Sequence, residues 1–231
     1  MPIPILQASI QVYETHWQAA FAAASAVAAE IRRLIAERGR AIGIFSGEAS
    51  QREFLDALAG DESIEWTRVI VFHTAELLGA DENSPQSHRK LLLDHLVRRV
   101  PLAEFHGIRG EAANPEAVCA NYAALLKTRP PDFAVLGIGE SGELAAIDSR
   151  ACDLNDQASV RLVDSAISLT PPALMACPAL FVTASGKSIR EAVRLAIEDE
   201  ISESCPASIL QTHPNAHLFL DSEAAAGLSL I

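Results

Sequence analysis

Residues 133–148 read Phe-Ala-Val-Leu-Gly-Ile-Gly-Glu-Ser-Gly-Glu-Leu-Ala-Ala-Ile-Asp. Four apolar residues run straight into Gly137, Ile138 and Gly139, with no polar alternation. Such a run fits a strand buried on both faces, and the glycines at its end require backbone to approach something closely. The design recurs along the chain. Ala41–Phe45 (AIGIF) enters Ser46-Gly47, Arg68–Phe72 (RVIVF) leads to His73, and Leu180–Thr183 leads toward Lys187. Ile167–Leu169 and Ala216–Leu220 also read as strands. Helical patterns separate these runs. They cover Glu14–Arg38 (stopping at Gly39), Ser50–Ala59 (stopping at Gly60), Ser84–Val100, Asn114–Thr128 and Ser185–Glu198. Ser84-Pro85 and Asn114-Pro115 have the cap-then-proline order of a helix start. Buried strands alternating with helices predict an α/β fold: a doubly wound, mainly parallel sheet with helices on both faces, in one continuous domain. Ala41–Phe45, Arg68–Phe72 and Phe133–Leu136 are expected to be neighbouring central strands.

Composition excludes several classes. The chain has 231 residues, 49% hydrophobic and 21% charged, enough for a sizeable core. Its net charge of −12 argues against a general nucleic-acid binder and against adsorption to anionic membranes. A locally positive pocket for an anion stays compatible with it. Cys119, Cys152, Cys177 and Cys205 form no CxxC pair, and Pro214 interrupts the spacing of His213 and His217, so no metal is expected. No basic-then-apolar leader opens the chain, and Trp17–Ala29 is interrupted by Gln18 and Ser25. The expectation is a cytoplasmic protein with no cofactor, for which homo-oligomer formation stays open.

Parallel sheets of this kind bind ligands beyond the carboxyl ends of their strands. At the first exit, Ser46-Gly47 can present backbone N–H groups to an anion, although Glu48 in the same turn would repel phosphate. The competing reading is a tight turn. Gly137, Gly139 and Gly142 match GxGxxG, but the motif follows a late strand, so a dinucleotide site is rejected. Glu140, Glu143 and Asp148 are candidate acids or bases there, or else solvated loop carboxylates. Lys187 is one of three lysines and opens a helix, where an anionic partner would offset its charge. His73, leaving its strand at the ligand edge, is the best histidine candidate.

Four segments together resemble the glucosamine-6-phosphate deaminase and 6-phosphogluconolactonase superfamily. They are VIVFHTAELLGADENSPQSHRKLLLDHL, FAVLGIGESGELAAID, ISLTPPALMACPALFVTASGKSIREAV and CPASILQTHPNAHLFLD, in the superfamily's order and spacing. The Glu-Leu-Leu-Gly and His-Pro-Asn pieces lean toward the deaminase branch. The resemblance implies a small phosphorylated sugar or related anion as partner. For the deaminases it also implies ring opening, then proton transfer between C2 and C1 with loss of ammonia.

The chain departs from that pattern at the chemistry. The carboxylate that abstracts the C2 proton falls on Ala75, with Glu76 matching beside it. The ring-opening Asp-Gly-His falls on Ser141-Gly142-Glu143, and the last acid of the segment on Asp148. Ser46-Gly47-Glu48-Ala49 stands for the phosphate turn, and Lys187 for the phosphate lysine. The stretch from Asp148 to Ile167 is shorter than in the deaminases, removing their lid and a phosphate arginine. Arg150 and Arg161 are the available substitutes. Alanine moves no proton, so a sugar-phosphate binder without standard deaminase activity is expected. Two alternatives stay open. One is an altered phosphosugar enzyme, isomerase or lactonase-like hydrolase, using Glu76, Glu143, Asp148 or His73. The other is a non-catalytic scaffold. On either ligand-binding reading, Ser46, Gly47, His73, Glu76, Gly139, Glu143, Asp148 and Lys187 are expected to line one cleft.

Overall fold

The computed structural model describes residues 8–229. The chain runs β1 (Ser9–Tyr13), α1 (His16–Arg38), β2 (Ala41–Phe45), α2 (Arg52–Ala59), β3 (Val69–His73) and β4 (Ala75–Leu77). It continues through α3 (His88–Leu92), β5 (Glu104–His106), α4 (Pro115–Thr128), β6 (Phe133–Gly137), β7 (Val160–Val163) and β8 (Ala166–Leu169). Then follow α5 (Pro171–Met175), β9 (Ala179–Ala184), α6 (Arg190–Glu198), β10 (Ala216–Asp221) and α7 (Ser222–Ala225). Among the described residues no helix is long and apolar enough to cross a membrane.

Seven strands form one sheet in the order β1-β10-β9-β6-β2-β3-β5, all in parallel pairs. Central strands 41–45, 69–73 and 133–137 are neighbours, as expected. Period-two alternation splits their side chains between two cores. Ala41, Phe45, Val71, Phe133 and Val135 pack with α1 and α2. Ile42, Ile44, Phe72, Ala134 and Leu136 pack on the opposite face with residues of α4, α6 and β8. Burial on both faces is why these strands read as unbroken apolar runs. From β2 the sheet grows through β3 to β5; β6 then starts on the other side of β2 and growth reverses toward β9 and β10. The reversal lies between β2 and β6, so their carboxyl ends flank a crevice.

Several local expectations change. Ile167–Leu169 is a strand, but it lies in a separate antiparallel sheet, β4-β8-β7. Edge strands β1 and β5 carry polar residues and escape an apolar-run criterion. The helix expected over Ser84–Val100 begins at His88, capped by Ser87, and its stretch Leu93–Val97 widens to a π turn. Ser84 is used elsewhere: its N–H donates to Asp81 Oδ1 at 2.9 Å and its hydroxyl accepts from the Asp81 N–H at 3.1 Å. That closed turn takes the cap residue before the helix can start. In α1, Thr15 is the cap and Gln18 completes a capping box.

Candidate functional site

At the crevice, β2 ends in the turn Ser46–Ser50. The Ser46 N–H donates to the Val135 carbonyl of β6 at 3.0 Å, tying the two strand ends together. Gly47 lies on the backbone of α3, where an added Cβ would sit 2.2 Å from the His88 carbonyl oxygen. This contact alone is enough to require glycine there. Gly47→Ala is therefore expected to push α3 away from the crevice and destabilise the fold by about 2 kcal/mol. Urea unfolding checks it; an unchanged midpoint would show that α3 yields freely.

The other wall is the segment after β6. An added Cβ at Gly137 would lie 2.9 Å from Glu48 Oε2, and one at Gly139 would lie 1.9 Å from Glu143 Cδ. Both glycines thus make room for carboxylates of the cleft. Gly142, at φ 79°, instead faces Cys205, whose Sγ would be 2.6 Å from an added Cβ. Its role is in packing. The Glu143 carboxylate accepts from the Ser141 N–H at 2.9 Å and from its hydroxyl at 2.6 Å. Ala145 holds φ 53°, an uncommon value for a residue with a side chain, at the wall of the same cavity.

Glu48, His88, Ser141, Glu143, Ala145, Ala146 and Asp148 line this cavity of about 320 Å³. Its wall has three carboxylates and no lysine or arginine. Burial, and next the charge of Glu143, push Glu48 up to about 7. Burial lowers His88 below the usual imidazole range, against the opposing pull of Glu76. Asp148 is lowered by its hydrogen bonds and ion pair with Arg150, 2.6 Å away.

Other candidates lie elsewhere. His73 is fully buried, both ring nitrogens lack a partner among the described residues, and burial holds its pKa well below the ordinary value. Its ring stands behind His88, centroids 6.4 Å apart, and it does not line the cavity. Glu76 is also fully buried. Its carboxylate accepts from Ser87 Oγ at 2.7 Å and from the N–H groups of Leu77, His88 and Arg89 at 2.8, 3.1 and 2.8 Å. It serves as the cap of α3. Lys187 is exposed, with no ion-pair partner among the described residues. It stands past β9, whose Thr183 pairs with Gly137, and so shares the carboxyl edge with Gly139 without lining the cavity. Arg150 and Arg161 are each held by a local carboxylate, Asp148 and Asp156. His88 is the residue that motif reading passes over. Its only local sign is its place just after the Ser87 cap, and contacts with Gly47 and Glu76 from distant parts of the chain bring it to the cleft.

Residues 14–219 match the family described as glucosamine-6-phosphate isomerases/6-phosphogluconolactonase, and the chain belongs to it. It is similar to a glucosamine-6-phosphate deaminase of Lactococcus lactis subsp. lactis (strain IL1403), 27% identical over 217 residues, covering 86% of this chain and 92% of the relative. A Streptococcus pneumoniae (strain 70585) glucosamine-6-phosphate deaminase is 26% identical over 212 residues, covering 84% and 89% of the two chains. A monomeric glucosamine-6-phosphate deaminase superposes with a TM-score of 0.84 at 20% identity, covering 95% of this chain and 100% of that one. A 6-phosphogluconolactonase from Shewanella baltica OS155 gives 0.82 at 20% identity over 93% and 98%. The fold is common to both branches.

Proposed function

We propose that the cleft between Ser46–Ser50 and Gly137–Asp148 binds a small phosphorylated sugar without the proton transfer at C2 that deamination needs. The observation that carries this reading is Ala75. At the place of the C2 base stands a methyl group, buried in β4 opposite Ser168. Its neighbour cannot take over, because the Glu76 carboxylate is consumed by four donors at the start of α3. Lys187, exposed on the same edge, supplies a cation for the phosphate, while Ser141, Glu143 and Asp148 supply partners for sugar hydroxyls.

With glucosamine 6-phosphate and the full chain, no ammonia or ketose phosphate is expected above a protein-free control. Loss of one positioned acid–base group costs roughly 10²–10⁴-fold. Binding is expected as a thermal shift, since ligand at about 100 times its Kd stabilises by about 2.7 kcal/mol. Ammonia release well above the control would overturn the reading, and so would the absence of a shift with any sugar phosphate.

A further inference from the structure

On the face of the sheet opposite α1 and α2 the covering layer has a gap. A slot of about 730 Å³, bounded by α4, α5 and residues 157–160, opens there. It is more than twice the volume of the cleft cavity and shares no lining residue with it. Small-molecule sites occupy roughly 300–1,000 Å³, so this is the volume of a ligand site. The floor is Ile44 of β2, Leu169 of β8 and Cys177, all buried. The walls are alanine: Ala120, Ala123 and Ala124 from α4, with Ala173 of α5 and Ala176 just past it. Longer apolar side chains at these places would close the gap, whereas methyl groups leave it open.

Two further observations define what fits. The Cys177 thiol is buried at the floor and makes no hydrogen bond to a described residue. Burial pushes it up to about 12, so the floor is uncharged throughout. Lys127 lines the slot and is exposed, with no ion-pair partner among the described residues. Asp132, whose charge reaches Cys177, is engaged by Arg38 and by the Ile42 N–H. Glu116, the one carboxylate lining the slot, stands eleven positions before Lys127, about 16 Å along α4. Leu126, Pro130 and Pro131 gather apolar surface at the Lys127 end. No aromatic side chain lines the slot, so nothing there stacks a ring or a base.

We propose that the slot is a second binding site, for an aliphatic monocarboxylate of medium chain length. Its carboxylate meets Lys127, and its chain covers Ile44, Leu169 and Cys177. The apolar floor removes the chain from water, and the lysine supplies the only complementary charge. A net charge of −12 opposes general adsorption of anions, so an anion that binds does so through a local cation. The site is independent of the sugar-phosphate reading of the cleft.

The test is calorimetric titration of the full chain with hexanoate, octanoate and decanoate below their micellar concentrations. One saturable site is expected, with affinity rising about fourfold per added methylene. Bound decanoate should also slow alkylation of the half-buried Cys119, which lines the slot, by N-ethylmaleimide. Ala124→Leu, at an exposed position, should fill the slot and weaken decanoate roughly tenfold. Lys127→Gln should weaken decanoate roughly fivefold and leave decanol unchanged. Absence of saturable binding would overturn the proposal. So would decanoate binding that is equal in the parent and Ala124→Leu and leaves Cys119 unprotected, which is adsorption elsewhere. Tighter binding of decylamine than of decanoate would overturn the assignment of a carboxylate to Lys127.

Discussion

Glu76→Gln is expected to destabilise the protein by about 3 kcal/mol, because the carboxylate is a fully buried acceptor with four donors. An amide keeps one acceptor oxygen and places its NH₂ against the Arg89 N–H, which then has no partner. It also withdraws a negative charge from the amino end of α3, where the helix dipole favours one. The consequences travel to the site. The His88 N–H is one of the four donors, so the residue that lines the cleft is positioned by the carboxylate beneath it. Urea unfolding should show a lower midpoint with an unchanged slope. A loss below about 1 kcal/mol would mean that water or another group replaces the cap.

Glu48→Gln is expected to act in the opposite direction, with an effect that builds from about pH 4.5 and is complete above about pH 7. The folded-state pKa of Glu48 is raised from 4.5 to about 7. Between those values the folded chain holds a proton that the unfolded chain has released. Stability therefore falls as pH rises through this window, the reverse of the usual carboxylate pattern. At roughly 1.4 kcal/mol per unit, the penalty at pH 8 is about 3 kcal/mol. Glutamine keeps the shape and removes the ionisation. The variant should match the parent at pH 4.5, exceed it at pH 8, and show a flatter profile between them. Thermal unfolding across pH 4–8 measures this; parallel profiles would mean that Glu48 ionises freely in the fold. The same substitution removes a negative charge from the cleft wall, so sugar-phosphate affinity should rise at pH 8.

Much of the architecture was legible along the chain. Strands buried on both faces must be apolar at every position, so AIGIF, RVIVF and FAVL announced both their existence and their parallel pairing. Helix ends at Gly39 and Asn114-Pro115 were equally local, because caps are satisfied within a few residues. Edge strands β1 and β5 were not legible, since a strand paired on one side needs no continuous apolar run. The start of α3 was missed because two hydroxyl residues competed for the cap, and a carboxylate eleven residues before Ser87 decided between them.

At the site the division follows the same physical line. The residue types at the strand exits, the loss of a proton acceptor at Ala75 and the acidic character of the Glu48 turn follow from the sequence by itself, because each is a property of one residue and its neighbours. The tertiary structure decided which groups meet. Glu76 and His73 lie at the right strand exit but beneath the surface, one spent on a helix terminus and the other enclosed. His88 lies far along the chain from Glu48 and Glu143, yet joins them because Gly47 has no side chain to keep α3 away. Burial and the approach of unlike elements set hydrogen bonding and ionisation, and neither is encoded in any short stretch of residues.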